Sequence, residues 1–282
     1  MMNTAADASR EPGRGASLYG DAFADVYDEW YDRADADDVP GVVALAQRFA
    51  SGDVLELGAG TGRLTIPLAR AVAPREVVAL DASAAMLDRL RANLPPNRVD
   101  PAIDNVVVVH GDMVDLDVLQ RDVRPHTGSG GVPGERPFSL VVVSYNTLFN
   151  LADDDAQLRC LRGAARCLRN DGALVVDCFV PDDEPAPLGV SRDVRNGVRV
   201  VTATFTDARR RVVSGVTEEH RADGTVLRPW RVAYATPPQL DDMAAEAGLR
   251  LAERTGGWNG EAFTDASTRH VSIYVPRRTL TP

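Results

Sequence analysis

The sequence predicts an α/β protein built on a doubly wound, mostly parallel sheet of seven strands. Short runs rich in valine and leucine alternate with amphipathic helical segments, which is typical of parallel strands covered on both faces. Several of these runs end in an acidic residue or a serine, at the edge of the sheet where ligands bind. The first run, residues 53–57, continues through a glycine-rich turn at 58–62 into a helix, an arrangement that binds nucleotides.

The N-terminal segment predicts a disordered start followed by an aromatic helix. Residues 1–16 are rich in Ala, Gly, Arg and Ser without a pattern, so we expect them to be disordered. From Ser17 to Trp30 the aromatic residues recur at three- and four-residue steps, which predicts an amphipathic helix. Its aromatic stripe has two interpretations at this point: packing on the sheet, or a lid over a bound ligand.

The elements of the sheet follow in chain order, each bounded by a turn or a capping signal. Ser83 is placed to cap one helix, and Pro95 and Pro96 end it. The run 105–110 is nearly all valine, as a doubly covered strand requires. We predict helices at 41–50, 63–72, 83–93, from 153 to a stop at 170–172, and 237–248, and strands at 53–57, 76–80, 105–110, 138–143, 173–179, 249–254 and 269–275.

Two stretches interrupt this pattern. Residues 121–137 are too rich in glycine and proline to form an element, so they predict a flexible insertion. Residues 183–235 show β alternation without helices and predict an antiparallel insertion. The final helix and two strands are the ending expected when the last strand is inserted antiparallel. The predicted organisation is a main domain of residues 17–182 and 236–276 and an insertion with strands at 198–205, 212–219 and 226–235.

Composition limits the classes of partner. The 282-residue chain has a net charge of −10, which argues against binding nucleic acid or an anionic membrane through a broad basic surface. No apolar run approaches the ~18 residues of a membrane-spanning helix, and residues 1–15 lack the apolar stretch of a signal peptide, so we expect a cytoplasmic protein. All 31 basic residues are arginine, which excludes Schiff-base chemistry on lysine. The three cysteines lack metal-ligand spacing, so we expect buried thiols and no bound metal.

The glycine-rich turn differs from the fingerprint of dinucleotide-binding proteins. That fingerprint is G-x-G-x-x-G, whereas Gly58, Gly60 and Gly62 bring the third glycine one residue early. Glu56 also places a carboxylate beside the position of a pyrophosphate, and two unit charges ~4 Å apart interact by ~4 kcal/mol at an effective dielectric constant near 20. A cofactor with positive charge and no phosphate therefore suits this turn better than NAD.

S-adenosylmethionine has that chemistry, since its ammonium and sulfonium groups are cationic. Asp81 ends the second strand and can accept hydrogen bonds from both ribose hydroxyls. Asp112 can accept from the adenine amino group, and the amide of Met113 can serve a ring nitrogen. Ala82 and Met86 can flank the adenine.

The motifs Glu56-Leu-Gly-Ala-Gly-Thr-Gly62 and Gly111-Asp112-Met113, with Asp81 and the strand end at Ser144, resemble those of class I S-adenosylmethionine-dependent methyltransferases. The resemblance covers the chain from about Tyr19 to Val275. It implies a Rossmann-like methyltransferase fold with S-adenosylmethionine as cofactor. The cofactor-binding residues that it implies are Tyr19, Tyr27, Glu56, Gly58, Ala59, Gly60, Asp81, Ala82, Met86, Gly111, Asp112, Met113 and Ser144.

The segment Ala24-Asp-Val-Tyr27-Asp28-Glu-Trp-Tyr31, followed later by the β insertion, is similar to bacterial amino-sugar N,N-dimethyltransferases and related antibiotic-tailoring enzymes. In those enzymes an N-terminal aromatic helix closes over the cofactor, and the insertion helps to build the substrate pocket and a dimer contact. The resemblance implies that Tyr19 and Tyr27 approach the methionine end of the cofactor and Tyr31 the acceptor. It also implies a small-molecule acceptor and a homodimer formed through the insertion.

The acceptor side offers several candidate residues. Methyl transfer from a sulfonium needs alignment and desolvation of the nucleophile, and a hydroxyl needs a base more acutely than an amine does. The candidate catalytic residues are Tyr31, Tyr19 and His220, with Tyr145 and His270 as further candidate bases. The candidate substrate-binding residues are Tyr31, Tyr145, Asn146, Phe149, Trp230 and Tyr234, of which the last two are equally interpretable as core packing. The candidate phosphate-binding cluster is Arg195, Arg199, Arg228 and Arg231.

The leading hypothesis is N-methylation, including dimethylation, of a small polar amine such as a nucleotide-linked amino sugar in natural-product biosynthesis. O- or C-methylation of a small molecule is the first alternative. An NAD-dependent oxidoreductase and a non-catalytic cofactor-binding module are alternatives from other classes. The early third glycine and Glu56 count against the oxidoreductase.

Overall fold

A computed structural model of the chain describes residues 14–31, 37–95, 103–116, 119 and 138–277. The predicted flexible insertion at 121–137 lies outside the described residues, as does most of the predicted disordered segment 1–16. Among the described residues, no helix is both long and apolar enough to span a membrane.

The main sheet has seven strands in the order β10-β11-β5-β4-β1-β2-β3, which confirms the predicted fold class. Strands β1 to β5 run parallel, and β11 is inserted antiparallel between β5 and β10 as predicted. Its strands are β1 (Asp53–Leu57), β2 (Val77–Asp81), β3 (Val106–His110), β4 (Phe138–Val143), β5 (Leu168–Phe179), β10 (Leu249–Thr255) and β11 (Arg269–Pro276). The covering helices are α3 (Asp38–Arg48), α4 (Thr65–Val72), α5 (Ala84–Asn93), α6 (Asp154–Cys167) and α7 (Pro237–Glu246).

The strands of the main sheet are buried on both faces because helices cover both. Leu55 packs in the core formed with α6 and α7, while its neighbour Val54 packs in the core formed with α3 and α4. Side chains within the strands are therefore apolar almost throughout. Polar side chains lie at the ends of the strands, and they define the location of the site.

Strand β5 begins five residues earlier than predicted, so α6 ends at Cys167 before the expected stop. Leu168 pairs with Phe138 of β4 ahead of a register shift, and this pairing extends the strand upstream. At Gly172 an added Cβ would lie 2.9 Å from the carbonyl oxygen of Ser139, so the backbone of β5 approaches β4 too closely there for any other residue.

The N-terminal aromatic segment is two helices, α1 (Arg14–Phe23) and α2 (Tyr27–Tyr31), and the prediction of one continuous helix was wrong. In an unbroken helix the amide of Val26 would donate to the carbonyl of Ala22. Instead Val26 donates to Phe23, and the Ala22 carbonyl accepts from the Arg228 guanidinium. The break is stabilised by a residue about two hundred positions away, which local periodicity cannot show.

The second sheet is antiparallel and has four strands in the order β6-β7-β8-β9. Sequence periodicity predicted three of them and missed the first. The strands are β6 (Leu188–Arg195), β7 (Val198–Asp207), β8 (Val212–Arg221) and β9 (Gly224–Ala233).

The two faces of the second sheet differ in exposure and in composition. Its inner face, which meets α1 and the carboxyl ends of the main sheet, carries polar residues such as Thr202, Thr217 and Glu219. Its outer face exposes apolar side chains between charged ones: Leu188 is 73% exposed and Val194 is 66% exposed. Such an apolar surface marks an interaction site more often than a bare exterior.

Candidate functional site

The glycine-rich turn leaves β1 with a backbone that only glycine adopts easily. Gly58, Gly60 and Gly62 have φ angles of +74°, +57° and +92°. The amides of Gly58 and Ala59 both donate to the carbonyl of Leu80, which ties the turn to β2. The turn also has no room for a side chain at Gly58, where a Cβ would lie 2.3 Å from Thr147 Cγ2.

A cavity of about 460 Å³ lies at the carboxyl ends of β1, β2 and β4. Helices α1 and α2 and the inner face of the second sheet close it from the opposite side, and the volume is in the range of small-molecule sites. The predicted site residues that line it are Tyr19, Tyr27, Tyr31, Gly58, Gly60, Asp81, Ala82, Met86, Asp112, Met113, Tyr145, Asn146 and Trp230.

Asp81 is held in place at the end of β2 by backbone donors. Its Oδ2 accepts from the amide of Gly60 at 2.8 Å, and its Oδ1 accepts from the amide of Ser83 at 2.8 Å. Burial raises the pKa of Asp81, and these two amides oppose the rise. The Ser83 hydroxyl donates to Asp21 at 2.7 Å, so α1 is docked directly onto this strand end.

Glu56 does not line the cavity, which corrects the electrostatic role expected of it. The carboxyl is 4% exposed and accepts from the Thr65 hydroxyl at 2.5 Å, beneath the turn. Burial raises the pKa of Glu56 to about 8, although the hydrogen bond from Thr65 and the positive charge of Arg63 act to lower it. At neutral pH it is largely protonated, so it would not repel a pyrophosphate as a full charge.

Four tyrosines from three elements meet at one side of the cavity. The Tyr19 hydroxyl donates to the Tyr31 hydroxyl at 3.1 Å, and Tyr31 lies 4.8 Å from Tyr27 and 6.0 Å from Tyr145 between ring centres. Burial raises the pKa of both Tyr19 and Tyr27, and nearby tyrosines raise that of Tyr19 further. Both phenols are therefore protonated at neutral pH, and Tyr19 acts here as a hydrogen-bond donor.

The turn after β4 holds two non-glycine residues in the left-handed region. Tyr145 has φ of 56° and Asn146 has φ of 63°, a conformation that costs roughly 1–3 kcal/mol per residue. Asp177 of β5 stabilises the turn, since its carboxylate accepts from the amide of Tyr145 at 3.2 Å and from the Ser144 hydroxyl at 3.1 Å. Trp258 also donates to this carboxylate, at 3.2 Å.

Comparisons with known proteins identify the class of site. A family model described as a methyltransferase domain matches residues 54–172, which contain the glycine turn, Asp81 and Asp112. The cypemycin N-terminal methyltransferase of a Streptomyces species is 30% identical over 230 residues, covering 80% of this chain and 83% of that protein. The chain belongs to the S-adenosylmethionine-dependent methyltransferases.

Solved structures of other methyltransferases are similar in fold over most of this chain. The CcbJ methyltransferase from Streptomyces caelestis has a TM-score of 0.78 and 31% identity, with 93% of this chain and 98% of that chain covered. CalS10 of Micromonospora echinaspora, an amino pentose methyltransferase solved with S-adenosylmethionine, has a TM-score of 0.57 and 19% identity, with 93% of both chains covered. At the latter identity the likeness concerns the fold. The alternative of an NAD-dependent oxidoreductase is set aside by the family assignment.

The cavity of this methyltransferase fits S-adenosylmethionine. Among the described residues, a Cβ on Gly60 would meet only the sulfur of Met86, at 4.0 Å, so the backbone of the turn is accessible to a ligand. Asp81 and Asp112 line the same space at neighbouring strand ends, where they are placed for the ribose and the adenine. The chemistry that the cofactor supplies is a methyl group on a cationic sulfur.

Several predicted site residues lie outside the cavity. His220 lies on the outer face of β8, beside Glu218 and Thr225, because alternate residues of a strand point to opposite faces. His270 is fully buried against Ser272, and burial lowers its pKa to about 4. These positions remove both histidines from the candidate bases. The other predicted residues that do not line the cavity are Glu56, Ala59, Gly111, Ser144, Phe149 and Tyr234, of which Phe149 and Tyr234 belong to the hydrophobic core.

Sequence reasoning did not assign site roles to several residues that build this cavity. Trp30, Thr202 and Thr217 line it, and Asp177 shapes the turn beside it. A charged residue within the buried run 174–179 was the available signal for Asp177. Nothing in the alternation of the second sheet shows which of its faces is turned inward.

Proposed function

We propose that this methyltransferase acts in the cytoplasm and transfers a methyl group to the nitrogen of a small polar amine, such as an amino sugar, in natural-product biosynthesis. The observation that carries the proposal is the lining of the cavity beyond the cofactor residues. Among the described residues this part is lined by Tyr, Asn, Thr, Trp, Phe, Val and one Arg, and by no histidine, aspartate or glutamate.

A lining without a carboxylate or an imidazole favours an amine over an alcohol. An amine that binds as its ammonium form first loses one proton to water. The neutral amine then attacks carbon with its lone pair, and the methylated ammonium loses a proton afterwards, whereas an alcohol must lose its proton as it attacks. Asp81 and Asp112, the acids that line the cavity, are placed for the cofactor. The enzyme then works chiefly by desolvating and aligning the amine.

The residues beyond the cofactor provide that alignment. Tyr31 and Tyr145 supply hydroxyl groups and ring faces to one side of the amine, and Asn146 is fixed by the strained turn. Trp30 and Trp230 cover the cavity from the N-terminal helices and the second sheet, where they exclude water. Aromatic faces also attract a developing ammonium ion through cation–π contact.

The N-terminal amine of a peptide is a second candidate acceptor. The relative of 30% identity is named as an N-terminal methyltransferase of cypemycin. The chemistry at nitrogen is the same, and the difference lies in the size of the acceptor beyond the amine.

A methyl-labelled cofactor tests both candidates. Purified enzyme is incubated with labelled S-adenosylmethionine and panels of amino sugars, short peptides with free N-termini, and matched alcohols and phenols. We expect N-methyl products identified by mass spectrometry; labelling of oxygen or carbon acceptors alone would overturn the proposal. Asp81→Asn is expected to abolish labelling, whereas Asp88→Asn, at a carboxylate 76% exposed on α5, leaves it unchanged.

We propose further that the outer face of the second sheet pairs with a second copy of this chain. The face is continuous over β6 to β9 and exposes Leu188, Val190, Val194, Phe205 and Leu227. Light scattering after size exclusion is expected to give a dimer that Val190→Glu dissociates and Ala92→Glu, at an exposed position of α5, does not. A monomeric wild-type protein at micromolar concentration contradicts this proposal.

A further inference from the structure

We propose that Arg195 recognises an anionic oxygen group, a carboxylate or a phosphate, on the amine acceptor. The inference rests on the proposed N-methylation and names a property of its substrate. Arg195 ends β6 on the inner face of the second sheet, and among the described residues it is the cation that lines the cavity.

The guanidinium of Arg195 is oriented by aromatic rings. It lies 4.7 Å from the centre of the Trp30 ring and 5.6 Å from that of the Tyr31 ring. A guanidinium stacked on a ring keeps its in-plane N–H groups free for a bidentate acceptor. The stacking thus orients the arginine; its Nε donates to Asp193, and among the described residues no acceptor is bonded to its two Nη groups, which point to an oxyanion as their partner.

The carboxylate that pairs with Arg195 forms only a weak ion pair. Asp193 is two residues away on the same strand, its side chain is 61% exposed, and the Nε to Oδ2 distance is 3.3 Å. Exposed pairs of this kind contribute little. Glu29, on the nearby α2, accepts from Asn196 at 2.5 Å and belongs to the exposed rim. Among the described residues the acids that line the cavity are Asp81 and Asp112, at the end proposed for the cofactor.

The structure reduces the predicted arginine cluster to this one cation. Arg228 is 3% exposed and bonded to Asp25, Glu219 and a backbone carbonyl, so its donors are used internally. Arg231 donates to the carbonyl of Ala152 from the outer face, and Arg199 is exposed on that same face. One arginine suits a single carboxylate or phosphate better than the diphosphate of a nucleotide sugar, which takes several donors.

Binding to the product complex tests this inference without turnover. Enzyme saturated with S-adenosylhomocysteine is titrated calorimetrically with glucosamine, glucosamine 6-phosphate and glucosaminic acid, and with proline and prolinamide. We expect at least one acid to bind roughly 10- to 100-fold more tightly than its neutral counterpart, as charge-assisted hydrogen bonds predict. The phosphate and carboxylate arms show which oxyanion is preferred.

Substitutions assign the preference to Arg195. Arg195→Met is expected to bring the acid-to-neutral ratio close to one, and Arg195→Lys to keep part of it, while affinity for S-adenosylmethionine stays within about threefold of wild type. Arg192→Met, on the outer face of the same strand, is the matched control and leaves the ratio unchanged. A substitution that lowers only cofactor affinity would assign Arg195 to holding α2 and overturn the inference.

Outcomes for the two proposals are separable. An unchanged ratio in Arg195→Met, or no acid-selective binding by the wild type, overturns the role of Arg195 whatever atom is methylated. Products methylated on oxygen or carbon that keep an Arg195-dependent preference for acids overturn N-methylation alone.

Discussion

The two sheets of this molecule contribute polar groups to the cavity in different ways. The main sheet is apolar on both faces, and its polar side chains reach the cavity from the strand ends, as with Asp81. The second sheet lines the cavity with one of its faces, where Thr202 and Thr217 lie among Val213, Trp230 and Val232. Its opposite face exposes apolar side chains such as Leu188. The strand ends of the main sheet would hold the cofactor with a few residues at fixed positions, and we propose that residues on the inner face of the second sheet determine which acceptor fits.

A pair of buried glutamates shows the same contrast. Glu56 of the main sheet and Glu219 of the second sheet are both 4% exposed. Glu56 has a hydroxyl as its hydrogen-bond partner, and burial raises its pKa to about 8. Burial also acts to raise the pKa of Glu219, but hydrogen bonds from Arg221 and Arg228 outweigh it and lower that pKa. Burial alone thus does not determine the charge of a buried acid; its partners do.

The largest expected effect comes from removing Arg228, the cation that joins the second sheet to α1. Arg228→Met removes the buried one of the two arginines that bond Glu219, leaves that carboxylate with Arg221, and frees Asp25 and the Ala22 carbonyl. Breaking a buried ion pair from one side costs about 3–5 kcal/mol, and we expect a loss of that order in the free energy of unfolding in urea.

The matched control is Arg221→Met, since Arg221 pairs with the same Glu219 from a more exposed position. It should be clearly less destabilising than Arg228→Met. Equal losses of unfolding free energy in the two variants would show that the burial of Arg228 does not add to its contribution. They would also contradict the role of Arg228 in stabilising the break between α1 and α2.

The two glutamates are expected to give opposite dependences of stability on pH. The folded-state pKa of Glu56 is raised from 4.5 to about 8, so the folded protein keeps a proton that the unfolded chain releases. Stability therefore falls as pH rises through this window, by up to roughly 1.4 kcal/mol per pH unit. Glu219 has a lowered pKa, so its contribution is present above its usual pKa and lost as pH falls below it.

Unfolding titrations between about pH 3 and 9 measure these slopes. Glu56→Gln should flatten the decline between about pH 5 and 8, and Glu219→Gln should flatten only the decline on the acid side. If Glu56→Gln leaves the slope of stability against pH unchanged, the carboxyl of Glu56 is ionised in the folded protein. The negative charge that the sequence predicts at the turn would then be correct.

The glutamates also show how far the sequence predicted the structure. The main sheet was predictable because burial on both faces produces valine runs, and a carboxylate such as Asp81 is conspicuous where such a run ends. The protonation of Glu56 was not predictable, because it depends on how deeply the side chain lies beneath the turn. Strand β6 was missed because its apolar residues Leu188, Val190 and Val194 face solvent and are separated by glycine, serine and charged residues.

A smaller effect is expected at the glycine turn that connects the main sheet to the cofactor. Gly58→Ala combines a φ of +74° with a Cβ placed 2.3 Å from Thr147 Cγ2, so the turn must move. Strain and overpacking of about 1–3 kcal/mol should weaken S-adenosylmethionine binding by roughly 10- to 100-fold in calorimetry.

Gly248→Ala is the control that separates backbone strain from steric overlap of the added Cβ. Gly248 has φ of +85° but nothing within 4 Å of the added Cβ, and it follows α7 away from the cavity. This variant should lose some stability and keep the cofactor affinity of the wild type. A Gly58→Ala variant with unchanged affinity would mean that the backbone of the turn does not contact the cofactor.

The smallest effect compares neighbouring residues of β8 that point to opposite faces. Thr217 faces the cavity, where its hydroxyl lies 3.1 Å from that of Thr202 and accepts from the Trp230 indole at 3.3 Å. Thr217→Val removes both contacts and should cost about 0.5–1.5 kcal/mol, whereas Val216→Thr on the outer face should change stability by less than about 0.5 kcal/mol. The order of the two losses in urea unfolding is the test, because a conventional sheet with an apolar buried face would reverse it. The Thr217 variant should also weaken acceptor binding while leaving cofactor affinity intact, since the inner face of this sheet is where the acceptor is expected to lie.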